Sequence, residues 1–100
     1  MRVEWFPGAV SDLQRLRSFI LPHNSDAAQR AVQVIRTTVA HLEVNPRIGK
    51  PVEGLADYHD LVIPFGSAGY LLRYRIQVDV VYIVAVKHCK EAGYAVVEPV

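Results

Sequence analysis

Tyr70-Leu71-Leu72-Arg73-Tyr74-Arg75-Ile76, a short break Gln77-Val78-Asp79, then Val80-Val81-Tyr82-Ile83-Val84-Ala85-Val86-Lys87-His88 is the stretch that decides the fold. Two runs rich in β-branched and aromatic residues around a brief polar interruption predict a β-hairpin. Side chains alternate along a strand, so Tyr70, Leu72, Tyr74 and Ile76 share one face. Leu71, Arg73 and Arg75 share the other. The second run stays apolar on both faces as far as Lys87, the pattern of a central strand covered on both sides.

Upstream of the hairpin, residues 59–65 read as a further strand with Leu61, Ile63 and Phe65 on one face. Pro64 places this strand at an edge or near a bulge. Gly66-Ser67-Ala68-Gly69 is the turn into the hairpin. Residues 47–58 carry Gly49, Pro51 and Gly54 without periodicity and read as a long loop, a type of segment that often carries function. Residues 1–6 read as a short N-terminal strand. Pro7-Gly8 stops it, and Pro7 also suits the first turn of a helix.

Between these strands lie two amphipathic helices. Over residues 9–21 the apolar stripe is Ala9, Leu13, Leu16 and Ile20, with Asp12, Gln14, Arg15 and Arg17 outside it. Pro22 ends this helix. The turn His23-Asn24-Ser25-Asp26 supplies the cap of the next, either Asp26 in a capping box with Gln29, or Asn24, or Ser25. The second helix runs to about residue 44 on the stripe Ala28, Ala31, Val32, Ile35, Val39 and Leu42, and Asn45-Pro46 stops it. The short connection predicts an antiparallel helical hairpin. The order is strand, helix, helix and three strands. The expected fold is α+β: an N-terminal strand, an antiparallel helical hairpin, then a three-stranded antiparallel sheet.

Composition sets bounds on function. One hundred residues suit one domain, with its core over about residues 3–94. A formal net charge of +1 gives no whole-molecule field for nucleic acid, so a basic site has to be a local cluster. The lone Cys89 has no partner for an internal disulfide, and no Cys/His spacing of the zinc type occurs. No metal site and no cofactor are expected. Neither a signal-peptide pattern nor an apolar run long enough to span a membrane is present, which predicts a cytoplasmic protein without membrane contact.

The residues taken in order resemble the RelE/ParE superfamily of bacterial toxins. Val3-Glu4-Trp5 with Ala9 and Asp12-Leu13 resembles its opening strand and first helix. Ala28, Ile35, Leu42, Asn45-Pro46 and Gly49-Lys50-Pro51 resemble its second helix and following loop. Tyr70, Arg73-Tyr74-Arg75-Ile76, Val81-Tyr82-Ile83 and Val86-Lys87-His88 resemble its last two strands. The ending Val86-Lys87-His88 is similar to the Val-x-His of the ParE branch. His59 stands where the family commonly has arginine, two positions before Leu61.

The resemblance implies a toxin that acts by binding DNA gyrase and is neutralised by a cognate antitoxin, whose extended or helical segment wraps it. A homodimer or a toxin–antitoxin heterotetramer is consistent with it. Leu71, Arg73, Arg75, Lys87, His88 and Lys90 are the candidate antitoxin- or target-binding residues. The alternative it implies is a RelE-like ribosome-dependent mRNA endonuclease. Cutting RNA needs an acid, a base and cations on the phosphate. For that, His88 with Tyr94 or His59 would move protons, and Arg73, Arg75 or Lys50 would hold the phosphate. Each residue also has an ordinary structural reading. His88 can cap a strand end, Arg73 and Arg75 can be solubilising charge beside Leu71, and Arg47 and Lys50 can be surface charge. Cys89 reads as an ordinary thiol, without a base beside it to activate it. The apolar run Ala95-Val96-Val97 is a candidate for adding to a sheet edge or for packing in a homodimer.

Overall fold

The computed structural model describes residues 1–91. Its elements in chain order are β1 (Arg2–Trp5), α1 (Pro7–Ile20), α2 (Ser25–Leu42), β2 (Lys50–Pro51), β3 (Tyr58–Ile63), β4 (Tyr70–Gln77) and β5 (Val80–His88). The strands form one five-stranded mixed sheet in the order β1-β5-β4-β3-β2.

The helices form where the periodicity puts them. Pro7 occupies the first turn of α1, where its missing N–H costs nothing. Of the candidate caps for α2, Asn24 is the one used, and its side chain accepts a 3.0 Å bond from the Ala27 N–H. Ala28, Ala31, Ile35, Val39 and Leu42 of α2 are all buried. They meet Ala9, Leu13 and Leu16 of α1 and the inward side chains of the sheet in a single core cluster. Both helices therefore lie on one face of the sheet.

In β4 burial alternates as the sequence predicts: Tyr70, Leu72, Tyr74 and Ile76 are buried, and Leu71, Arg73 and Arg75 are half-buried on the other face. Gly69, at φ +103°, makes the turn before β4 possible, because a side chain there would run into the Ile63 carbonyl oxygen.

Several expectations change. The expected three-stranded sheet is the centre of a wider one. β1 pairs in parallel with β5, from Arg2 beside Val80 to Trp5 beside Ile83. The two-residue β2 adds to β3 from within the segment read as loop, through Lys50–Asp60 and Pro51–His59. β3 stops at Ile63, before Pro64. β5 does lie between two strands, but the helices cover only one of its faces. Its unbroken apolar pattern has another cause, a bulge. Tyr74 pairs with Ile83 and Arg73 with Ala85, which leaves Val84 without a cross-strand partner. Beyond the bulge the alternation is shifted by one, so Val86 and His88 take the inward side. Asp12 also departs from expectation, being buried at 6% exposure within the α1 stripe.

Candidate functional site

The face of the sheet opposite the helices carries most of the residues that the sequence singles out. Cross-strand register arranges them in three rows. The first is Tyr58–Arg75–Tyr82, the second Asp60–Arg73–Ala85 and the third Val62–Leu71–Lys87. Leu71, Arg73, Arg75 and Lys87 are therefore brought together, as period-two alternation in β4 requires.

The two arginines have different surroundings. Arg73 grips Asp60 in a two-pronged ion pair, Nε to Oδ1 at 2.9 Å and Nη2 to Oδ2 at 3.0 Å. That fork-on-carboxylate geometry uses the guanidinium face that would otherwise hold a partner's anion. Arg75 instead lies over the Tyr58 ring, 5.7 Å from its centroid, within the range of a cation–π contact. Its Nε is buried without a hydrogen-bond partner among the described residues.

His88 belongs to a different place. It pairs with Tyr70 on the helix side, and its ring meets the Tyr70 ring edge-on at 5.6 Å. Its Nδ1 accepts from the Lys90 N–H at 3.2 Å. His88 and Arg73 thus point to opposite faces of the sheet. His59 is buried on the helix side, stacked on Tyr74 at 5.4 Å, with Nδ1 unpartnered. Arg47 and Lys50 are exposed, as is Lys90. Tyr94 and the run Ala95-Val96-Val97 lie outside the described residues.

A chain of charged groups that the sequence reading missed fixes the end of β5. Among the described residues no strand neighbours this flank of β5 past Trp5, so the N–H groups there need other acceptors. The Asp12 carboxylate takes the Val86 N–H at 3.0 Å, and Glu91 takes the His88 N–H at 2.8 Å. Arg15 joins them, 2.8 Å from Glu91 and 3.7 Å from Asp12. Burial raises the pKa of Asp12 above its ordinary 3.8, against the Val86 bond and Arg15, which lower it. For Glu91 burial also acts upward, but the His88 N–H and Arg15 outweigh it and hold the carboxyl below its ordinary 4.5. Burial raises the Tyr70 and Tyr74 hydroxyls as well.

A pH dependence follows for Glu91. A carboxyl lowered by folding contributes stability above its ordinary value, and that contribution is lost as pH falls through the folded one. Glu91→Gln is expected to lower the thermal midpoint at pH 7, with the gap from the wild type closing as pH drops below 4.5. Thermal melts from pH 7 to 3 measure it; a gap independent of pH would contradict the Glu91 assignment.

A small α+β chain with two helices on one face of a mixed sheet, and a basic, aromatic opposite face, defines the class. The family model of the ParE toxin of type II toxin–antitoxin systems, parDE, matches residues 3–93, and the chain belongs to that family. It is 33% identical over 89 residues to Toxin RelE3 of Caulobacter vibrioides, covering 89% of this chain and 95% of that protein. The fold is also that of the chromosomal ParDE toxin–antitoxin system from P. aeruginosa, with a TM-score of 0.75 and 20% identity over 90% of this chain and 97% of that one. The intact E. coli RelBE toxin–antitoxin complex matches with a TM-score of 0.62 and 18% identity, over 90% of this chain and 98% of that one.

Proposed function

We propose that this toxin arrests growth by binding DNA gyrase in the cytoplasm, and that its cognate antitoxin holds it inactive. The observation that carries this reading is the ParE family match over residues 3–93, which includes the Val86-Lys87-His88 ending. The site geometry supports a toxin that binds without chemistry of its own. Arg73 is spent on Asp60, and His88 and Arg73 face opposite sides of the sheet. Proton transfer and phosphate binding would need such groups to converge on one reacting centre. A net charge of +1 weighs the same way, because phosphate contacts drive nucleic-acid affinity.

The second reading, a RelE-like mRNA endonuclease, is favoured by the likeness to Toxin RelE3. One experiment in cells separates the two. With the chain expressed alone, growth is expected to stop with plasmid supercoiling disturbed and mRNA intact. Arrest with normal supercoiling and newly cut, ribosome-bound mRNA would move the assignment to the nuclease.

A further inference from the structure

Among the described residues the sheet has three free flanks, and two of them are closed. β2 is two residues long and ends in Pro51, which has no N–H to offer. The end of β5 has its Val86 and His88 N–H groups taken by the Asp12 and Glu91 carboxylates. β1 is the open one. It stands at the end of the strand order, with β5 as its neighbour on one side. Arg2 and Phe6 donate their N–H groups to the Asp79 and Ile83 carbonyls on that side. Backbone direction alternates along a strand, so the N–H and C=O groups of Val3 and Trp5 point away from the sheet. No proline and no bulge blocks this edge within Arg2–Trp5.

The sequence on that edge is self-complementary. Met1-Arg2-Val3-Glu4-Trp5 reads apolar, cationic, apolar, anionic, apolar about Val3. Arg2 and Glu4 lie on the open face, with 67% and 48% of their side chains exposed. They touch each other at 3.3 Å, an exposed contact of little strength. Val3 and Trp5 turn to the helix side, half-buried, and line a cavity of about 360 Å³ with Val10 and Val39. Antiparallel pairing of two such strands, Val3 opposite Val3, sets each Arg2 against the other copy's Glu4 and each Trp5 beside the other copy's Met1. The registers two residues to either side set Arg2 against Arg2 or Glu4 against Glu4, and a slip of one residue puts apolar side chains opposite charged ones. One register therefore satisfies both faces of the edge, and its partner is a second copy of the same strand.

We infer that β1 is a self-association edge: two copies of this chain join through antiparallel β1 strands centred on Val3, and their five-stranded sheets become one continuous sheet. The contact is isologous, so each Arg2–Glu4 pair and each Trp5–Met1 pair occurs twice. The two-fold axis stands perpendicular to the sheet. Both open faces then lie on the same side and stay uncovered. So short an edge makes a modest interface, and the dimer is expected to form in the micromolar range. The surface is separate from the three rows of the open face and does not depend on what the toxin acts on.

Sedimentation equilibrium of the purified full chain is the test, with the emission of Trp5, the sole tryptophan, followed over the same concentrations. The wild type is expected to dimerise and its Trp5 emission to shift as it does. Arg2→Glu sets like charges opposite at both symmetric positions and is expected to weaken the dimer about 10-fold or more, as is Glu4→Arg. The two exchanges together restore opposite pairs, and with them the wild-type dimer. A merely structural role of either charge would not give that rescue. All three variants replace exposed side chains, so circular dichroism should show the wild-type fold. Arg47→Glu, an equal reversal before β2 at the far edge of the sheet, should change nothing. A wild type still monomeric at about 1 mM would overturn the inference. So would a dimer indifferent to Arg2→Glu, or a double exchange as weak as the single ones. A monomeric wild type whose antitoxin binding is lost in Arg2→Glu would also overturn it and assign the edge to the antitoxin.

Discussion

Tyr74→Ala is expected to cost about 3–5 kcal/mol of stability, the range for emptying a buried aromatic site. Tyr74 has no exposed surface and packs among the helix-facing residues of the sheet. Its ring stacks on His59 at 5.4 Å. Its hydroxyl accepts the Gly49 N–H at 2.8 Å, which ties the segment before β2 to the centre of the sheet. The approach is so close that a side chain at position 49 would lie 2.5 Å from the Tyr74 oxygen, so glycine is required there. Small domains hold only about 5–15 kcal/mol in all, so the alanine variant is expected to be largely unfolded at modest urea concentration. Tyr74→Phe separates the two contributions. It keeps the ring and orphans only the buried Gly49 N–H, at a cost of about 1–3 kcal/mol. Urea unfolding of the three proteins measures both. A phenylalanine variant as unstable as the alanine one would show that the hydroxyl, not the ring, carries the site.

Asp12→Ala is the second large effect, about 2–3 kcal/mol, because it leaves the buried Val86 N–H without an acceptor and Arg15 without one of its carboxylates. Asp12→Asn keeps an acceptor oxygen and is expected to cost about 1 kcal/mol or less. That small penalty agrees with the upward pKa, which already marks the ionised form as disfavoured by burial. The sign for pH is opposite to that of Glu91. A carboxyl raised by folding contributes fully below its ordinary 3.8, and the contribution is lost as pH rises through the folded value. Hydrogen exchange at Val86 reports the bond directly: protection should fall in Asp12→Ala and persist in Asp12→Asn.

Asp12 also shows where sequence reading stops. It lies three residues after Ala9 and four before Leu16, so helical geometry puts it inside the buried stripe. Its charge argued for the outside. The acceptor role that buries it is created by β5, 74 residues away, on a flank that β1 is too short to cover. No local pattern carries that information. The same holds for β1 itself, whose parallel pairing with β5 is a long-range event, and for β2, two residues long and without any period.

The elements whose burial obeys one period were legible. The α2 stripe is in place except that Val32 is only half-buried at its edge, the β4 alternation holds throughout, and with it the grouping of Leu71, Arg73 and Arg75 on the open face. β5 was legible as a strand but not in its facing. Counting by twos from Ile83 sends Lys87 inward, and the unpaired Val84 reverses this, turning Val86 and His88 to the helix side. That single bulge separates His88 from Arg73, which the resemblance alone had grouped in one site.

The deciding measurement is supercoiling of relaxed plasmid by purified DNA gyrase, with this chain titrated in and its antitoxin then added. A gyrase-binding toxin inhibits more as its concentration rises, and the antitoxin reverses the inhibition. Full gyrase activity in the presence of a folded, growth-arresting chain would overturn gyrase as the target.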